Sequence, residues 1–302
     1  CFASILAQDY GNIEVIAVND RPPDDTGRIL ATLAQSDERL RVIDGGELPP
    51  GWLGKPYAMQ QGLSHARGEW ILATDADMIF EPAALRTAVD HTLERNGDAL
   101  TLIPRFETGS FWERVIIPTW EWVFLMFAIF YRVNDPKSDR GAGIGGFFLM
   151  KRTVLDQVGG YEALKDEVME DVRLSERIKR LGASLRIDRA PGLISTRMYS
   201  TFGEMWECST KNWFSGVNFS FTLALLCVVS MYVAAVVPAL IALVAVIAIA
   251  SGLNVSALFI PAALSWLLQM LVMAIMSRRA KVSMAYALTA PLGLAVIYAM
   301  LF

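Results

Sequence analysis

Up to about residue 190, short apolar runs rich in Val and Ile alternate with stretches whose apolar positions recur every three or four residues. Runs of the first kind read as buried strands, and stretches of the second kind as helices packed by one face. The pattern predicts strands over 13–18, 41–43, 70–74, 99–103, 146–150 and 184–187. It predicts helices over 27–35, 55–66, 82–95 and 170–181, the last closed by Gly182. This alternation implies an α/β fold, a mostly parallel sheet with helices on both faces, with ligands expected where strand ends meet loops.

Two stretches break the alternation. In residues 111–133 (FWERVIIPTWEWVFLMFAIFYRV), Trp112, Trp120 and Trp122 flank an apolar run over 123–131. That run is too short to cross a hydrocarbon core of about 30 Å. Pro118, Glu113, Arg114 and Glu121 also disfavour a span. Periodicity leaves a buried core helix open, but rings mixed with charges suit the headgroup level, so an interfacial segment is the expectation. The second stretch is the tail, with apolar runs over 221–250, 255–276 and 284–302 that read as about three transmembrane helices. The first is longer than a bilayer core requires and must tilt, protrude or kink near Pro238. The pattern therefore divides the chain into an α/β domain over 1–215 and a membrane domain over 216–302.

Charge sharpens this division. The chain has 302 residues, 54% hydrophobic and 19% charged, with a net charge of −4. Beyond residue 220 the charged residues are Arg278, Arg279 and Lys281, so 24 of the 27 basic and all 31 acidic residues lie before it. No basic stripe is available to neutralise phosphates, which argues against a nucleic-acid partner. The positive-inside bias puts the 278–281 loop in the cytoplasm, and three crossings put the preceding domain there too. Cys1, Cys208 and Cys227 have no metal-ligand spacing. The chain begins without Met and ends inside an apolar run, and it reads as a piece of a longer protein.

Four clusters could carry chemistry. The run EWILATDADMIF ends an apolar strand in Asp75 and Asp77. If strand geometry persists, the two carboxylates share one side and could hold Mg²⁺ or Mn²⁺; the alternative is capping before Pro82. Asp20, just past the first strand in VNDRPPDD, could accept hydrogen bonds from a base or ribose, or serve turn chemistry. Lys55 near a helix start could meet a diphosphate, or be a surface lysine. Glu170 and Asp171 open a helix about 100° apart, so one could be a general base, or both could complement the helix dipole. GAGIGG over 141–146 satisfies a Gly-x-Gly-x-x-Gly search but precedes a strand, not a helix, and reads as a flexible loop beside the site. His65 and His91 lack ligand-spaced neighbours and read as solvated or capping residues.

In order, SILAQDY…IEVIAVND, GKPYAMQQGLSHARGEW, ATDADMIFEP, GGFFLMKRTVLDQVGGY and EDVRLSERIKRLG resemble the family 2 inverting glycosyltransferases of the GT-A fold, over residues 4 to about 213. LPPGWLGKPYA, SFWERVIIPTWEWVF and YRVNDPKS are similar to the membrane-bound, hopene-associated type. TRMYSTFGEMWECSTKNWF resembles membrane transferases acting on carotenoid or sphingolipid-like acceptors. The resemblance implies that Asp20 contacts the nucleotide of a UDP-type donor, Lys55 lies near its diphosphate, and Asp75 meets ribose or metal. It implies that Asp77 ligates Mg²⁺ or Mn²⁺, that Asp171 beside Glu170 is the catalytic base, and that Gly145, Gly146 and Trp213 lie on the acceptor side. It also places the family's first strand before Cys1.

Processive members carry Gln-x-x-Arg-Trp; here the run is Ser209, Thr210, Lys211, Asn212 and Trp213, so only the Trp matches. The expectation is an inner-membrane, multi-pass enzyme with a cytoplasmic catalytic domain that moves one sugar from a nucleotide-sugar donor to a lipid acceptor in the bilayer. The alternatives are a processive polysaccharide synthase and a non-catalytic scaffold or transporter. No charge interrupts the three apolar runs, which counts against transport.

Overall fold

The computed structural model describes residues 1–20, 24–126, 129–216, 219–252 and 259–300. The chain forms two compact units, Cys1–Arg105 with Ala128–Thr196, and Phe106–Phe127 with Arg197–Phe302.

In the first unit the elements run α1 (Phe2–Leu6), β1 (Val15–Asn19), α2 (Thr26–Ser36), β2 (Leu40–Asp44), α3 (Gly54–His65), β3 (Trp70–Ala73), β4 (Met78–Phe80), α4 (Ala84–Glu94) and β5 (Ala99–Ile103), and β6 (Arg105–Phe106) falls at the division. After α5 (Phe111–Met126), which belongs to the second unit, come α6 (Ile129–Asn134), β7 (Phe148–Lys151), α7 (Arg152–Gln157), α8 (Glu170–Arg180), β8 (Leu185–Arg189) and β9 (Ile194–Thr196). Each strand and helix expected here is present within a few residues of its predicted place.

The sheets are mixed, which corrects the mostly parallel expectation. β1 and β2 pair in parallel, with Ala17 opposite Val42. The four-stranded sheet has the order β3-β7-β5-β8. β7 runs antiparallel to both β3 and β5, while β5 and β8 are parallel. β4 and β9 pair antiparallel. The apolar pattern marks where strands lie but not the direction in which each enters a sheet. All five residues of β5 are buried, as a central strand covered on both faces requires. Its Leu100 and Leu102 share a core with Val15, Ala17, Phe147 and Leu149. α8 ends as its Gly182 predicts: φ is +81°, the Gly182 N–H donates to Lys179 O, and the Ala183 N–H donates to Ile178 O.

The second unit holds α5, α9 (Phe202–Gly216), α10 (Phe221–Met231), α11 (Val237–Ala250), α12 (Phe259–Arg279) and α13 (Ala290–Ala299). The division at 196/197 differs from the expected boundary at 215, because α5 and α9 join one apolar core in which the Trp112 and Phe202 rings lie 4.6 Å apart. α5 also departs from a purely interfacial reading. Val115, Ile116, Ile117, Thr119 and Val123 are buried, while Phe111 at its start is exposed. α13 crosses α5 at Gly293, where a Cβ would stand 2.5 Å from Thr119 Oγ1. The 221–250 run is helical throughout but passes through a π-helical turn over Tyr232–Val236 just before Pro238, whose missing N–H and ring disrupt the preceding ladder. Among the described residues one helix, Ile260–Arg279, is long and apolar enough to cross a membrane, and Phe221–Met231, Val237–Ala250 and Met284–Ala299 are shorter apolar helices.

Candidate active site

Every described candidate on the donor and base side lies in the first unit, at the ends of β1, β2 and β3 and the starts of α3 and α8. Asp20 follows β1 directly. The Gly45 N–H donates to Asn19 O at 2.8 Å, which brings the end of β2 against it. A Cβ at Gly45 would stand 3.0 Å from Asp20 Oδ1, so glycine here leaves the exposed carboxylate open at the carboxyl edge of the parallel pair. Residues 21–23 of the same turn lie outside the described residues.

β3 ends at Ala73, and Ala76 and Asp77 form a turn before β4. Strand geometry therefore does not persist through Asp75 and Asp77, and the same-side argument for the two carboxylates fails. Asp75 is half-buried and Asp77 is exposed. Lys55, second residue of α3, joins Asp75 to the first residue of α8: its Nζ lies 2.7 Å from Asp75 Oδ1 and 2.7 Å from Glu170 Oε1. Burial alone would lower the Lys55 pKa, but the Glu170 and Asp75 charges outweigh it and raise it, so the ammonium is held charged.

Asp171 faces a different partner, as neighbouring positions on a helix must. Its Oδ2 accepts from the Gly145 N–H at 2.8 Å and its Oδ1 from its own helix at Val172 N. Burial, and then the adjacent Glu170 charge, push its carboxyl up to about 6. Gly145 lies where the groups converge. A Cβ there would stand 2.9 Å from Lys55 Nζ, 3.4 Å from Asp75 Oδ2 and 3.5 Å from Asp171 Oδ2. Gly146 does another job: its carbonyl accepts from Thr74 Oγ1 at 2.8 Å, and a Cβ there would meet Met78 Sδ.

The glycine-rich segment is packed, not the flexible loop its composition implies. A Cβ at Gly141 would overlap the backbone of α8 at Glu176, and one at Gly143 would stand 2.6 Å from Asp171 O. Ile144 is tied to Thr101 Oγ1 through its N–H at 2.9 Å. The glycines thus let the loop lie directly on the helix that carries Glu170 and Asp171. Trp213 lies on α9 in the second unit, and its side chain is outside the described residues. His91 pairs with Asp188 at 2.8 Å, and His65 Nδ1 lies 3.0 Å from Gln61 O, so neither serves the site.

One polar group was missed by sequence reasoning. The Tyr161 side chain is buried, its hydroxyl has no hydrogen-bond partner among the described residues, and it lines a small pocket with Gly145, Phe148, Leu174, Glu170 and Asp171. Its backbone N–H donates to Gln60 Oε1, after Gly159 and Gly160 at φ +92° and +61°. The run VGGY carries that signal, since paired glycines mark a turn that L side chains enter with strain.

Among the described residues no three His, Cys, Asp or Glu side chains gather as a metal centre. The donor set nonetheless suits a hard cation. Asp75 Oδ2 is not the oxygen that Lys55 holds and Asp77 is exposed in the next turn, and Mg²⁺ or Mn²⁺ usually takes one or two protein carboxylates and fills its sphere with water and substrate phosphates.

The sequence pattern described as Glycosyl transferase family 2 matches residues 1–159. "Glycosyltransferase GlyG" of Streptococcus pneumoniae is 32% identical over 100 residues, covering 33% of this chain and 32% of that protein. "4,4'-diaponeurosporenoate glycosyltransferase" of Staphylococcus aureus is 23% identical over 217 residues, 70% of this chain and 56% of its own length. The chain thus spans about a third of the first relative's length and just over half of the second's. Of solved structures, the mannosyltransferase PcManGT from Pyrobaculum calidifontis, in complex with GDP-Man and Mn²⁺, is similar over 97% of this chain and 81% of its own, with a TM-score of 0.52 and 20% identity, a likeness of fold.

Proposed function

Because the chain belongs to glycosyl transferase family 2 and has its GT-A fold, we propose that it moves a single sugar from a nucleotide-sugar to a lipid hydroxyl by one displacement with inversion. The observation that carries this reading is the convergence of Lys55, Asp75 and Asp171 on Gly145. A cation and a carboxylate suited to a diphosphate-linked donor stand within reach of a separate carboxylate whose pKa burial raises.

The geometry and the family resemblance together support the following roles. Asp20, open at the strand edge, accepts hydrogen bonds from the nucleotide of a UDP-type donor. The Lys55 ammonium and the free N–H groups at the start of α3 bind the diphosphate, with no side-chain cap competing for them. Asp75 orients the ribose or, with Asp77, holds Mg²⁺ or Mn²⁺, which when bound offsets the negative charge of the departing diphosphate. The Mn²⁺ and GDP-Man of the Pyrobaculum structure support that choice of cofactor and donor class. Asp171, ionised above about pH 6, takes the proton of the attacking hydroxyl, while Glu170 keeps Lys55 in place. Gly145 and Gly146 lie on the acceptor side, and for Trp213 that role rests on the family resemblance alone.

A lipid-like acceptor is supported by the relative named for 4,4'-diaponeurosporenoate and by the second unit. α12 would reach about 30 Å, and Leu264, Leu267, Leu268 and Leu271 are exposed on it. In this reading 216–302 anchors the enzyme in the inner membrane as a multi-pass protein, with the catalytic unit in the cytoplasm. The test is to incubate membranes containing the full-length protein with labelled UDP-sugars and extract the lipids. Label in the organic phase is expected. Label confined to polymer would replace this reading with a polysaccharide synthase.

A further inference from the structure

α12 ends in a turn built to present cations. Ala280 and Val282 are buried on either side of Lys281, so its side chain is turned outward. The turn closes with the Lys281 N–H donating to Arg278 O and the Val282 N–H donating to Ser277 O at 2.8 Å, an arrangement that places Lys281 at φ +56°. Glycine normally occupies that position, because a Cβ is strained there. A lysine is instead held next to exposed Arg278 and Arg279.

None of the three forms an ion pair among the described residues, and no Asp or Glu occurs anywhere in 221–302. Immediately beyond, Met284 and Leu288 are 57% and 67% exposed. Tyr286, between them, lies 6.0 Å from the ring of exposed Phe111. The surface thus sets three unpaired cations beside protruding apolar and aromatic side chains, at the end of the helix of membrane length.

We infer that the 278–281 turn is a binding site for the phosphate headgroup of an anionic membrane lipid, with Met284, Leu288 and Phe111 against its acyl chains. Arg278 and Arg279 supply forked donors that match phosphate oxygens, and Lys281 supplies a third positive charge. The opposite charge of an anionic leaflet and the adjoining apolar contacts select a lipid over a free anion. This inference rests on the membrane reading above.

The experiment uses the full-length protein, purified from membranes containing phosphatidylcholine and phosphatidylglycerol, with retained lipids identified by mass spectrometry. The wild type is expected to retain phosphatidylglycerol preferentially, and R278Q/R279Q/K281Q to lose about 10²-fold of that preference, at roughly fivefold for each of the three charges removed. Lys281→Gly should melt at a higher temperature, since glycine relieves the φ +56° strain, yet retain less phosphatidylglycerol. A purely structural role would move both readouts together. Inorganic phosphate should not displace the lipid. Unchanged retention in the triple variant, or displacement by phosphate alone, would overturn the inference while leaving the membrane reading intact. Release of the wild type from membranes by alkaline carbonate would overturn the membrane reading and this inference with it.

Discussion

At the residue scale, the role proposed for Asp171 as base sets activity against stability. Its carboxyl is pushed up to about 6 by burial and by the Glu170 charge, above the ordinary value of 3.8. A raised acid favours folding while it is protonated, below about pH 4, and that contribution is lost as pH rises through about 6. At neutral pH the charged form is therefore a cost to the fold. Asp171→Asn should raise stability at pH 7 by about 1 kcal/mol, because it removes the cost of the buried charge, a gain reduced by the loss of one of the two backbone acceptors and vanishing below pH 4. Turnover should fall by about 10²–10⁴-fold in the same variant. Denaturant melts and initial rates on one preparation check both. In the wild type, turnover should climb as pH rises through about 6, the base working only when deprotonated. Gly145→Ala should fold with little loss, since Lys55 is flexible. Its Cβ would still displace the Lys55 ammonium, and the donor KM should rise roughly tenfold, as expected for loss of a charge-assisted contact.

At the element scale, the glycines that hold helices close are as consequential as the charges. Gly293→Val would force α13 off Thr119 and the Val115 carbonyl. A loss of about 1–3 kcal/mol is expected, as for overpacking, and a melt of the purified protein checks it. Much at this scale was legible from sequence. The strands and helices of the first unit sit where apolar periodicity puts them, and Gly182 caps α8 through the left-handed geometry that glycine permits. The geometry of Asp75 and Asp77 was not legible, because the sequence does not show that β3 ends at Ala73 and the chain turns before Asp77. The packing of Gly141 and Gly143 on α8 was equally hidden, since glycine-rich composition is the same in a loose loop and in a tightly packed one. Tyr161 escaped because a buried phenol with no partner among the described residues cannot be told from a core ring by pattern alone.

At the scale of the whole molecule, the separation of charge was plain in the sequence, and strand direction and unit boundary were not. The boundary depends on which aromatic side chains share a core, and Trp112 and Phe202, 90 positions apart, are joined only by folding. In the function proposed here, the first unit binds a nucleotide-sugar through Asp20 and Lys55 and uses Asp171 to activate a lipid hydroxyl. The most direct measurement compares donor Kd with nucleoside-diphosphate release in the presence of extracted membrane lipids, for the wild type and Asp171→Asn. The account predicts a donor Kd changed by no more than a few fold and a release rate lower by at least about 10²-fold. Full turnover in Asp171→Asn, or loss of donor binding equal to the loss of turnover, would contradict it.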